Sequence, residues 1–121
     1  MGHFKELVVW QKSMQLVKQI YLVTEHFPSK ELYGLTSQLR RAAVSVPSNI
    51  AEGQARYSKP DFRHFLLIAK GSLAEIETQL ILAHDLDFLR EDKLIDLVRA
   101  IDSIGKQISA LIKTITEQIK K

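Results

Sequence analysis

Four histidines, 14 carboxylates and no cysteine are the side chains from which this chain could build an active or metal-binding centre. Without thiols, disulfides, thiolate metal sites and cysteine nucleophiles are excluded. The nearest pair at ligand spacing is Asp61-x-x-His64. A di-metal carboxylate bundle needs carboxylates from all four helices and two Glu-x-x-His pairs, so this single pair lacks its counterparts. His3, His26 and His84 are scattered along the chain. Glu75 and Glu77 fall about 200° apart around a helix and do not converge as an acid–base pair. No glycine-rich phosphate loop, nucleophile elbow or zinc motif occurs. The residues therefore predict no enzyme, no metal and no cofactor.

The basic side chains carry more information. Net charge is only +3, but it is unevenly placed. Lys30, Arg40, Arg41, Arg56, Lys59 and Arg63 face Glu31, Glu52 and Asp61 within residues 29–63. Residues 64–90 hold Lys70 and Arg90 against Glu75, Glu77, Asp85 and Asp87. One arginine-rich segment thus owns the positive excess, the composition of a surface for an anionic partner. A solvated helix face is the plainer reading of so mild a bias.

These residues must be positioned by helices. Leu94, Leu97, Ile101, Ile104, Ile108, Leu111 and Ile115 alternate spacings of three and four, a heptad seam that Val98, Ile112 and Ile119 widen. Glu91 and Asp92 at its start and Lys113 and Lys120 at its end suit the macrodipole, giving a helix over about 91–120. Over about 6–26, Trp10, Met14, Val17 and Tyr21 form one apolar row and Leu16, Ile20, Val23 and Phe27 a second, ended by Pro28. A third helix over about 59–86 begins with Ser58-Lys59-Pro60-Asp61, a serine cap with proline in the first turn. Phe62, Phe65, Leu66, Ala69, Leu73, Ile76, Leu80 and Ala83 keep its period.

Residues 30–57 pose the one structural question. Leu32, Leu35, Leu39, Ala43, Val46, Ile50, Gly53 and Tyr57 share one direction to within about 40°, and the phase does not reset at Pro47. One helix kinked at Pro47 is favoured, with Ser45, Ser48 and Asn49 placed to rebond freed carbonyls. The competing reading restarts the helix at Asn49-Ile50-Ala51-Glu52. Either way the 121 residues form one domain, an all-α antiparallel up-down four-helix bundle.

Small residues mark a second feature. Val44, Ala51 and Ala55 lie opposite the main stripe of the second helix, where Lys, Glu and Gln are usual. They are candidate oligomer-interface residues, although alanine is also simply a good helix former. Gly71-Ser72 and Gly105 likewise suit close helix crossings. No apolar run approaches the ~18 residues needed to span a membrane, and the N-terminal stretch lacks a signal peptide's apolar core. A cytoplasmic protein is expected.

The stretches VWQKSMQLVKQIY (9–21), FP (27–28), YGLTSQLRRAAVSVPSNIAEG (33–53) and GSLAEIETQLILA (71–83) resemble the bacterial four helix bundle protein family, also called the 23S rRNA intervening-sequence protein family. It is similar to the accessory variability determinants of diversity-generating retroelements. The resemblance implies the same fold, a ring-like homopentamer and a basic surface suited to nucleic acid. Its Arg-Arg corresponds to Arg40 and Arg41, and the basic residues after IAEG to Arg56 and Lys59. The chain departs from the pattern between the third and fourth helices, where Asp87 and Arg90 replace a glycine turn and a serine cap.

Two functions stay open. The first is a homo-oligomer binding structured RNA, or DNA, through phosphate contacts from Arg40, Arg41, Arg56, Lys59 and Arg63. With the aromatics assigned mostly to core stripes, no stacking platform is expected. The second is an oligomeric scaffold or adaptor that recruits another protein, its arginines paired with Glu52, Glu75 or Glu77. Arg40, beside the small-residue face, is the better structural candidate, and Arg41 the better exposed one.

Overall fold

A computed structural model describes residues 3–120. Four helices, α1 (Val8–Thr24), α2 (Leu35–Gln54), α3 (Lys59–Asp85) and α4 (Glu91–Lys120), are joined by short connections, with 3-10 turns at Phe4–Glu6 and Ser29–Glu31. Among the described residues there is no strand. Each helix packs on its neighbours in chain order and α4 returns to α1, which makes an up-down bundle.

In α3 and α4 the core follows the periodic residues, whereas in α1 the buried row is shifted. Of the residues expected there only Leu16, Ile20 and Phe27 are buried, Trp10, Met14, Val17 and Val23 are half-buried and Tyr21 is exposed. Leu97, Ile101, Ile104, Ile108 and Ile115 of α4 are buried, as are Leu66, Ala69, Leu73, Ile76, Leu80 and Ala83 of α3. In α1 the buried row is Val9, Ser13, Leu16, Ile20 and Thr24. The two buried hydroxyls are satisfied within the helix, Ser13 donating to the Val9 carbonyl and Thr24 to the Ile20 carbonyl, each at 2.7 Å.

The second helix is continuous. Pro47 is buried inside it, and the helix runs through from Leu35 to Gln54 without a restart at Asn49. The Asn49 amide turns backward, donating to the Ser45 carbonyl at 2.7 Å and to the Ser45 hydroxyl at 2.9 Å. Ser45 in turn meets Ser72 of α3 at 2.9 Å. The polar residues around the proline therefore serve a helix–helix contact, and the carbonyl that Asn49 rebonds is Ser45's.

The helix is shorter than its apolar phase predicts. It begins at Leu35 because Pro28 opens a 3-10 turn, from which the Glu31 carboxylate accepts the Leu35 amide at 3.2 Å. It ends at Gln54, so Leu32 and Tyr57 are exposed connection residues that only coincide with the stripe. At α3 the expected cap is present, Ser58 accepting from the Asp61 amide at 3.3 Å.

The close crossing expected at Gly71 and Gly105 lies elsewhere. A Cβ added at Gly53 would sit 2.7 Å from the Cβ of Phe65 and 3.1 Å from Cδ1 of Phe62, so α2 and α3 touch there. At Gly71 the added atom meets nothing within 4 Å, and at Gly105 it makes ordinary contact with Leu73 at 3.8 Å. Gly53 precedes a short connection, where the axes of α2 and α3 must converge.

The α3–α4 turn keeps its form despite the missing glycine. Asp87 takes a left-handed φ of 62°. Its amide bonds the His84 carbonyl at 3.0 Å, while the Phe88 amide reaches Ala83 at 2.8 Å. This is a Schellman closure, with Asp87 in the place usually held by Gly or Asn.

Candidate nucleic-acid interface

The five candidate cations fall into two groups. Arg40 and Arg41 lie in the first half of α2, and Arg56, Lys59 and Arg63 surround the α2–α3 turn. The 15 residues from Arg41 to Arg56 correspond to roughly 22 Å of helix, so one phosphate cannot bridge the groups.

Within the first group the two arginines differ. Arg40 is half-buried, its Nε donating to Thr24 Oγ1 at 2.9 Å and its guanidinium 4.6 Å from the Tyr21 ring centre. It ties α2 to α1 through a hydrogen bond and a cation–π contact. Arg41 is exposed.

In the second group Arg56 is held in place. Its Nη2 pairs with Glu52 Oε2 at 2.8 Å, one helical turn back, and its guanidinium stands 5.0 Å from the Phe65 ring centre. The hydrogen bond to Glu52 raises its pKa further above the usual arginine value, so Arg56 stays cationic. Arg63 is half-buried, with Nη1 at 3.5 Å from Thr116 Oγ1, and Lys59 is exposed. That contact brings the last turns of α4, with Lys113 and Lys120, to the same end of the bundle. The opposite end carries Glu25, Glu31, Asp85, Asp87, Glu91 and Asp92 against Lys30, Arg90 and Lys93. There Arg90 is paired with Asp92 at 2.8 Å.

Sequence reasoning missed two features of the surface. Tyr57 is 86% exposed in the basic turn, with a left-handed φ of 55°. The signal for it was Ser58: a residue preceding an N-cap belongs to neither helix. The second feature is the outer side of α3, where Leu67, Gly71, Ala74, Thr78 and Ile81 form a line opposite the core with no charged member. Leu67 and Ile81, with neighbouring Ile68 and Leu82, are exposed. Of the expected interface residues, Val44 is 40% exposed and Ala51 half-buried on α2, while Ala55 is exposed just beyond its end. Both faces are available to a further helix.

Among the described residues no three His, Asp or Glu side chains gather as a metal site would require. The open groove between α3 and α4, floored by Leu73, Ile101 and Gly105, has Lys70 and Lys106 on its rim beside Glu77 and Asp102, and so prefers neither charge. Among the described residues no helix is long and apolar enough to cross a membrane.

Fold and surface together define an all-α four-helix bundle with a basic turn at one end. The chain belongs to the 23S rRNA-intervening sequence protein family, whose pattern matches residues 5–110. It is also similar in structure to a protein of unknown function from the S23 ribosomal protein family of Bacteroides thetaiotaomicron VPI-5482. The TM-score is 0.79 at 24% identity, covering 88% of this chain and 99% of the other. No curated protein matches the chain. Neither the family nor this neighbour indicates an enzymatic activity.

Proposed function

We propose that the protein is a non-enzymatic, cytoplasmic homo-oligomer that binds structured RNA through the basic end of its bundle. The observation that carries this reading is the sorting of charge between the two ends. Arg56, Lys59 and Arg63 collect at the α2–α3 turn beside Glu52 and Asp61, with Lys113 and Lys120 against Glu117 at the same end, while six carboxylates face three cations at the opposite turns. Cations grouped in this way contact successive phosphates and give sequence-tolerant, salt-sensitive binding. Arg41 supplies a separate, more central contact.

Assembly rests on the uncharged outer line of α3 and on the small face of α2. The family resemblance gives it the form of a ring of five. Gly71→Leu tests it cleanly, because nothing within the chain stands near that position. Light scattering is expected to find a multiple of the 13.8 kDa chain for the wild type and a smaller species for the variant, with helical content unchanged. A monomeric wild type would remove the oligomer from the proposal. For RNA, fluorescence anisotropy with a labelled rRNA hairpin at low salt should show binding, and its absence would overturn the reading.

The scaffold alternative draws on Arg40, whose contacts with Thr24 and Tyr21 are structural. Under it, neutralising Arg40 and Arg41 together breaks assembly in light scattering, whereas under the RNA reading assembly survives and only binding falls.

A further inference from the structure

We infer that Tyr57 is a stacking platform for an unpaired nucleobase, with the cations of the α2–α3 turn holding the phosphates on either side of it. The inference rests on the RNA-binding reading and specifies which part of an RNA that site takes.

Two observations single out this residue. Tyr57 projects from the turn with 86% of its surface exposed, whereas Trp10, Phe27, Phe62, Phe65 and Phe88 are buried or half-buried in the bundle. Its backbone is left-handed, at φ 55°. For a bulky L-residue that region is unfavourable by about 1–2 kcal/mol, and glycine is the residue that relieves it. The exposed ring therefore stands at a position whose backbone conformation is one that glycine adopts more readily.

The surroundings define the ligand. Arg56 precedes the tyrosine, Lys59 follows it by two residues, and Arg63 lies one helical turn beyond Lys59. Glu52 and Phe65 hold the Arg56 guanidinium beside the turn. A flat ring offers its face to any base, while the neighbouring cations take the backbone, the pattern of sequence-tolerant single-strand recognition. A paired base within a duplex is already stacked on both faces, so the ring can engage only a base splayed from a loop, bulge or end. Tyr33, 93% exposed, has no such setting, because it lies at the carboxylate-rich end.

The test compares a hairpin carrying an open loop with a fully paired RNA of the same length, by anisotropy against the intact protein. Tyr57→Gly relieves the backbone, and far-UV circular dichroism with a cooperative thermal melt verifies that the fold is kept. The variant should weaken loop binding about ten-fold and leave duplex binding unchanged. Tyr57→Phe keeps the ring and should restore wild-type affinity. A 2-aminopurine placed in the loop should be quenched by the wild type and by Tyr57→Phe, but not by Tyr57→Gly. Stacking does not involve the ribose hydroxyl, so a DNA hairpin of the same sequence should show the same fractional loss. Equal affinity of Tyr57→Gly and wild type for the loop overturns the inference, as does an equal loss on both RNAs or a loss confined to RNA. If the wild type binds neither RNA, the RNA-binding reading itself fails. Binding that survives Tyr57→Gly unchanged defeats only the stacking role.

Discussion

The two ends of the bundle solve the same backbone problem with different side chains. Each has a short turn between long helices, and each turn contains a non-glycine residue with left-handed backbone, Tyr57 at one end and Asp87 at the other. Asp87 belongs to a hydrogen-bonded helix closure that carries Phe88 against Phe27, with ring centres 5.9 Å apart, and buries Leu89. A short polar side chain tolerates this conformation, and the turn serves the core. At the other end, the amides of Ala55 and Arg56 already turn back on Ala51 and Gly53, one residue ahead of Tyr57. The tyrosine is displayed among cations, and its turn faces outward. Similar geometry thus closes the fold at one end and presents a surface at the other.

The largest test of this contrast is at Gly53. A methyl group there would have to displace Phe65 Cβ, which is fixed to the α3 backbone. Gly53→Ala is expected to cost about 2–3 kcal/mol and to lower the thermal midpoint in calorimetry, since overpacked contacts cost that much. A loss below a few tenths would mean that α2 and α3 part easily, and the basic turn would then lack a rigid mount.

A smaller effect separates the two left-handed residues. Relief of the left-handed backbone should contribute about 0.5–1 kcal/mol in Tyr57→Gly and less in Asp87→Gly, because aspartate tolerates the conformation better. Thermal melts of the two variants measure this directly. Only Tyr57→Gly should also lose affinity for a looped RNA, so an affinity loss in Asp87→Gly would blur the distinction between the ends.

Much of this was legible in the residues. The heptad of α4 and the Ser58 cap of α3 are local signals, and both appear as read. The unbroken apolar phase across Pro47 correctly marked one helix. The limits of α2 were not legible, because Leu32 and Tyr57 fall in phase by coincidence and the Glu31 side chain starts the helix from outside it. For Tyr57, the stripe placed the residue inside a helix and the serine cap placed it outside, and the cap was the better guide. The purpose of each glycine depends on how near another helix comes, a distance that spacing does not encode. Hence Gly53, counted as a stripe residue, is the true crossing. Arginine identity was visible, but Arg40's tie to Thr24 and Tyr21 joins residues on different helices and emerged only with the fold.

The central claim, that the α2–α3 end is the nucleic-acid surface, is tested most directly by the salt dependence of RNA binding in two double variants. Lys59→Ala with Arg63→Ala should weaken binding of a labelled rRNA hairpin and reduce the slope of log K against log salt by about 2, one for each lost phosphate contact. Glu91→Gln with Asp92→Asn, at the opposite end, should leave that slope unchanged. A wild-type slope retained by the Lys59/Arg63 variant would place the RNA elsewhere on the bundle and contradict the account.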